Sequence, residues 1–118
     1  MKDISAKDLI KAGTLPSNCD FIDVREPSEV DALRWEKARN VPLAQIPDEA
    51  KKLDKSRPVV MICAAGGRSA RAASQLEAMG FKEVYNLAGG MGQAVKDGLP
   101  TVSGGKGGGG LFGGLFGR

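Results

Sequence analysis

Cys63 is the residue of this chain whose type and setting promise covalent chemistry. It closes the apolar run Val59-Val60-Met61-Ile62 and is followed by Ala64-Ala65-Gly66-Gly67-Arg68-Ser69. A short β-branched run bounded by turn residues predicts a buried parallel strand. From Ser69 to Met79 the apolar residues Ala72, Ala73, Leu76 and Met79 recur at helical spacing, and Gly80 supplies a stop. Cys63 is thereby placed between the carboxyl end of a strand and the amino end of a helix. Open α/β sheets bind ligands there, and backbone amides with the helix dipole favour an anion. A thiol in that position ionises readily, and the thiolate is the reactive form. The competing reading is an inert structural cysteine, but glycines and an arginine flank this one where core residues would be expected.

The chain has no histidine. Cys–His and Ser–His–Asp catalysis of the usual kind are therefore excluded, as are histidine-containing zinc sites. A nucleophile here must be activated by its surroundings. Cys19 and Cys63 stand too far apart for a metal motif or a disulfide framework, so neither a metal nor a cofactor is expected, and Cys19 reads as a packing residue. The net charge of +3 includes Lys106 and Arg118 near the C-terminus, and the remaining basic residues alternate with acids. Only six aromatics (four Phe, one Tyr, one Trp) accompany them. A nucleic-acid surface needs a one-sided basic stripe with stacking residues, and none is expected. No apolar run approaches a membrane span, and Met1-Lys2-Asp3 runs straight into a helix start, so a cytoplasmic location is expected.

The elements that must hold the cysteine follow from local signals. Ser5-Ala6-Lys7-Asp8 reads as a capping box opening a helix that Gly13 ends. Asp20–Val24 reads as a strand and Pro27 to Leu33 as a short helix with proline at its first position. A brief strand over Ala38–Val41 follows, then a helix starting at Pro47-Asp48-Glu49, with Lys51 and Lys52 near its end. Val59–Ile62, Ser69–Met79, a strand over Glu83–Tyr85 and a helix from Gly89-Gly90 to Lys96 complete the pattern. Alternating strands and helices with short connections predict a parallel sheet covered on both faces.

At Thr101 the composition changes. Residues 101–118, T-V-S-G-G-K-G-G-G-G-L-F-G-G-L-F-G-R, are half glycine, too poor in apolar surface to offset their ordering entropy, and are expected to be flexible. The domain is thus expected over 1–100. The repeated Leu-Phe-Gly-Gly unit at Leu111-Phe112-Gly113-Gly114 and Leu115-Phe116-Gly117 is either a weak docking element for a protein or membrane surface, or an inert extension.

Taken together, Phe21-Ile22-Asp23-Val24-Arg25-Glu26-Pro27-Ser28-Glu29, Asn40-Val41-Pro42-Leu43, the C-A-A-G-G-R-S loop and Gly80-Phe81-Lys82-Glu83-Val84-Tyr85-Asn86-Leu87-Ala88-Gly89-Gly90 resemble a single-domain rhodanese. The resemblance runs from about Ile4 to Pro100. It implies an α/β fold with a parallel sheet of about five strands, and a sulfurtransferase that passes a sulfane sulfur from thiosulfate or a persulfide through Cys63 to a thiol, cyanide or a sulfur-carrier protein. Under it Cys63 is the nucleophile, and Ala64, Ala65, Gly66, Gly67, Arg68 and Ser69 cradle the sulfur. Where the family usually carries G-H-I-P-G-A, this chain has Leu33-Arg34-Trp35-Glu36-Lys37-Ala38, and only the alanine agrees, which makes the entrance to the site the departure to watch.

Two other function classes compete. Cysteine phosphatases of a related fold use a C-x5-R loop, whereas Cys63 to Arg68 is C-x4-R. The shorter ring suits one terminal sulfur better than a phosphoryl group. A non-catalytic binding module on the same scaffold is the other alternative. Arg68 reads as both a charge for an anionic donor and a salt-bridge tie for the loop. Asp23 and Arg25 form either part of the pocket rim or an ion pair and helix cap. Trp35 is either an exposed anchor for a partner or the cover of a core edge.

Overall fold

A computed structural model describes residues 1–11 and 15–103. Gly13, as the expected end of the first helix, and the Leu-Phe repeats lie outside the described residues. The elements are β1 (Lys2–Ile4), α1 (Ala6–Ile10), β2 (Asp20–Asp23), α2 (Pro27–Ala32), β3 (Arg39–Asn40), a single 3₁₀ turn (Leu43–Gln45), α3 (Ile46–Ala50), β4 (Val59–Ile62), α4 (Gly67–Ala78), β5 (Val84–Leu87) and α5 (Gly90–Lys96). Five strands form one sheet in the order β1-β5-β4-β2-β3, and every pairing is parallel.

The central strand β4 is buried at all four positions, as a strand covered on both faces must be. Its alternation sorts the core into two layers. Val59, Met61 and Cys63 pack with Ile22, Val24 and Val84 under Ile46 and Ala50 of α3 and Ala72, Ala73 and Leu76 of α4. Val60 and Ile62 pack on the opposite face with Leu87, Ala6, Met91, Ala94 and Trp35, under α1 and α5. Each large side chain buried this way contributes about 1.5–3 kcal/mol. The parity of β4 thus points the cysteine at the α3/α4 layer.

The expected elements are present, with four differences. The capping box at Ser5 forms, with Asp8 accepting from the Ser5 amide at 2.9 Å. Ahead of it, however, Lys2–Ile4 is a strand and not merely a lead-in, its register pairing Asp3 with Asn86. Strand β5 runs to Leu87, two residues beyond expectation, and α4 starts two residues early at Gly67. Finally, Val102, within the stretch whose composition assigns it to the tail, still pairs with Arg34 through two backbone hydrogen bonds of 2.9 Å. Among the described residues no helix is long and apolar enough to cross a membrane.

Candidate active site

Cys63 leaves β4 and is 1% exposed, beneath a loop whose Ala65 and Gly67 reach the surface. Its Sγ accepts the Gly66 amide at 3.0 Å and lies 3.2 Å from the Ser69 hydroxyl. Gly66 makes the turn possible: its φ of 107° is left-handed backbone, and it serves as the N-cap of α4. Gly67 carries no such constraint, since an added Cβ would meet nothing within 4 Å.

Burial of the sulfur is the largest influence on the thiol and opposes ionisation. The Ser69 hydroxyl and the amides of Ser69, Gly66 and Ala65 together outweigh it, so the Cys63 pKa lies below that of an ordinary thiol. The cradle is smaller than expected: among the described residues, Ala64, Gly67 and Arg68 give the sulfur no hydrogen bond. Cys19 is the contrast. Its burial and the nearby Glu83 and Asp20 carboxylates raise its pKa, against a weaker opposing pull from Arg57. The rate of Cys63 alkylation by iodoacetamide should therefore break at a lower pH than that of a free thiol. A break at or above the free-thiol value, read by mass mapping across a pH series, would make the site structural.

The loop is gripped from behind by α5. The Met91 amide donates to the Cys63 carbonyl at 2.8 Å and the Gly92 amide to the Ala64 carbonyl at 3.0 Å. Both carbonyls are thereby drawn to the amino end of α5. Gly90 lets the two backbones approach: its φ is 57°, and a Cβ there would lie 2.4–2.6 Å from the Cys63 and Ala64 backbone. Nothing in the local pattern around Gly89-Gly90 beyond the glycines themselves signals this support for the loop.

Arg68 is committed outward. Its guanidinium makes a two-pronged pair with Glu29 of α2, at 2.7 and 2.9 Å. Glu29 also accepts the Glu26 amide at the start of α2. The Arg68 hydrogen bond, followed by that amide, lowers the Glu29 pKa to about 2, and the pair raises the Arg68 pKa further. With both side chains about one-third exposed (36% and 34%), such a pair contributes on the order of 1 kcal/mol or less. Its clearer effect is to fix the first turn of α4 to α2, while the Arg68 charge still acts on Cys63 through space.

The remaining expected rim residues are elsewhere. Asp23 and Arg25 form a buried pair, Nη2 to Oδ2 at 2.8 Å, with side chains 2% and 6% exposed. Arg25 also donates to the Leu33 carbonyl at 2.7 Å, so it ties the end of α2 and not its start. Trp35 is 5% exposed and belongs to the core layer on the face opposite Cys63, edge-on to Phe21 with ring centroids 4.8 Å apart. Leu33 and Trp35 of the departing segment thus pack on the α1/α5 face. Two residues absent from the expected set do reach the site: Asn86 of β5, beside the Ser69 hydroxyl, and Asp3 of β1, which accepts from Asn86 Nδ2 at 3.1 Å. A buried asparagine inside an apolar strand was the available signal for the first.

Comparison with known proteins bears on what this geometry is. The Rhodanese-like domain family matches residues 5–97. The chain belongs to the rhodanese-like family. It is 34% identical over 83 residues to a protein named Sulfurtransferase from Allochromatium vinosum, covering 70% of this chain and 78% of that one. It is also 34% identical over 98 residues to Rhodanese-like/PpiC domain-containing protein 12, chloroplastic, of Arabidopsis thaliana, covering 77% of this chain but spanning only 33% of the plant protein. Among solved structures, a rhodanese-related protein from Thermoplasma volcanium superposes with a TM-score of 0.75 at 29% identity, covering 86% of this chain and 98% of that one. The rhodanese-like assignment accounts for the five-stranded parallel sheet and for the cysteine loop at its carboxyl edge.

Proposed function

We propose that this rhodanese-like chain is a sulfurtransferase whose Cys63 carries the sulfur. The observation that supports it is the sulfur itself: Sγ held 3.0 Å from the Gly66 amide, with a pKa displaced toward the thiolate. Cys63 thiolate attacks the outer sulfur of a sulfane donor. A new S–S bond forms at Cys63, the donor's own S–S bond breaks, and the donor remnant leaves with the electron pair, as sulfite from thiosulfate or as a thiolate from a persulfide. The terminal sulfur, now negative, sits where backbone amides stabilise charge. An acceptor thiol, cyanide or a carrier-protein cysteine then attacks that terminal sulfur and returns Cys63 as thiolate.

The loop presents no charge at Ala64 or Ala65, and Arg68 is engaged by Glu29. A persulfide or polysulfide donor fits this setting better than a small dianion, whose charge the loop does little to attract. The same engagement counts against phosphate-ester hydrolysis, which needs a two-pronged arginine on the transferring group. Incubation with polysulfide should add about 32 Da, one sulfur, to Cys63, and cyanide should remove it. Addition to Cys19, no addition to any residue, or hydrolysis of aryl phosphates at a comparable rate would each overturn the reading.

A further inference from the structure

The Ser69 hydroxyl has one proton and three acceptors around it. Cys63 Sγ and the Gly66 carbonyl both lie at 3.2 Å, and Asn86 Oδ1 is the nearest of the three. Asn86 is 5% exposed and its Nδ2 donates to Asp3 Oδ1 at 3.1 Å. An ionised carboxylate can only accept, so Asp3 fixes the amide with its oxygen toward Ser69. The four side chains share the α4 face of the sheet, brought together by the pairing of Asp3 with Asn86 across β1 and β5.

We propose that Asp3 and Asn86 are positioning residues that set the direction of the Ser69 hydrogen bond and so tune Cys63. With Asp3 in place, Asn86 Oδ1 competes with Cys63 Sγ for the single Ser69 proton. A thiolate or persulfide needs the Ser69 proton turned toward sulfur, which leaves the Ser69 and Asn86 oxygens facing each other without a hydrogen. If Asp3 is removed, the Asn86 amide is free to turn over. Its Nδ2 then donates to Ser69 Oγ, and the hydroxyl proton goes to the sulfur. The Asp3–Asn86 pair thus weakens the Ser69 hydrogen bond to the sulfur without abolishing it. The other charge that acts on Cys63 is Arg68 of α4.

The inference rests on Cys63 being the reactive sulfur, but its test does not require sulfur transfer. The pH dependence of Cys63 alkylation by iodoacetamide is compared in wild type, Asp3→Ala, Ser69→Ala and the double variant. Asp3→Ala should lower the break by about one pH unit, the scale of one hydrogen bond redirected to a charged group. In the Ser69→Ala background the same change should have no effect, because the hydroxyl that transmits it is gone. No shift in Asp3→Ala, or an equal shift with and without Ser69, would overturn the proposal; the latter would mark a through-space charge effect. Asp3 is exposed on an edge strand, and thermal melts verify that the variants fold. Asp3→Asn is the substitute should alanine weaken the strand, since its amide can accept or donate and leaves Asn86 free to turn.

Discussion

Replacing Cys63 by serine should abolish the proposed sulfur transfer, with a fall of at least about a thousandfold in turnover, and leave the fold intact. The oxygen is smaller and can still accept the Gly66 amide that now reaches Sγ at 3.0 Å, so the loop keeps its anchor. What is lost is the nucleophile. An alcohol stays protonated at neutral pH, and the chain has no histidine to remove the proton. Cys19→Ser is the control and should transfer sulfur at the wild-type rate. Cyanide-dependent loss of a polysulfide-loaded sulfur, followed by intact mass, reads both. Residual transfer above about one per cent in Cys63→Ser, beyond the thousandfold fall expected of a lost nucleophile, would show that another group carries the sulfur.

The second large effect is expected far from the reacting atom in sequence. Gly90→Ala should destabilise the domain by about 3 kcal/mol, the upper end of ordinary overpacking costs, with a further contribution from left-handed backbone that an alanine resists. The new Cβ would sit 2.4 Å from the Cys63 carbonyl oxygen and 2.5 Å from the Ala64 carbonyl carbon. Backbone cannot yield as a side-chain tip can, so α5 and the loop must separate. The Met91 and Gly92 hydrogen bonds to the loop carbonyls lengthen as they do, and the Cys63 pKa should drift back up toward that of an ordinary thiol. Chemical denaturation measures the first consequence and the pH dependence of alkylation the second. Gly67→Ala is the control on the same loop, where open space awaits the methyl group. If the two variants are equally stable, the contact between α5 and the loop does not constrain the site.

The parts of this site that were legible in sequence are those set by neighbours along the chain. The strand into Cys63, the turn at Gly66 and the helix behind it lie within twenty residues, and periodicity with turn chemistry is enough to order them. The five-stranded parallel sheet was expected partly from the family resemblance. Strand β1 escaped because Lys2-Asp3-Ile4 is three residues long and two of them are poor strand formers; only its pairing with β5 makes it a strand. Asn86 escaped with it, since β5 was expected to stop at Tyr85. The position of Trp35 was equally out of reach. It follows α2 in a segment with no period to assign it a face, and its contact with Phe21 is tertiary. The sequence reads Arg68 as serving both an anionic donor and the fold, and the contact with Glu29 supplies the tie, a pairing across 39 residues that no local signal carries.

The bridge between Val102 and Arg34 has a practical side. After gripping the loop with its first amides, α5 runs seven residues, about 10 Å at the helical rise, before the chain reaches that bridge on the Trp35 face. A group joined at Ser103 itself therefore starts from the side of the molecule turned away from the sulfur. A bead, an electrode or a fluorescent reporter attached at that position would leave the mouth of the Cys63 loop facing open solution, so the domain lends itself to immobilisation through Ser103.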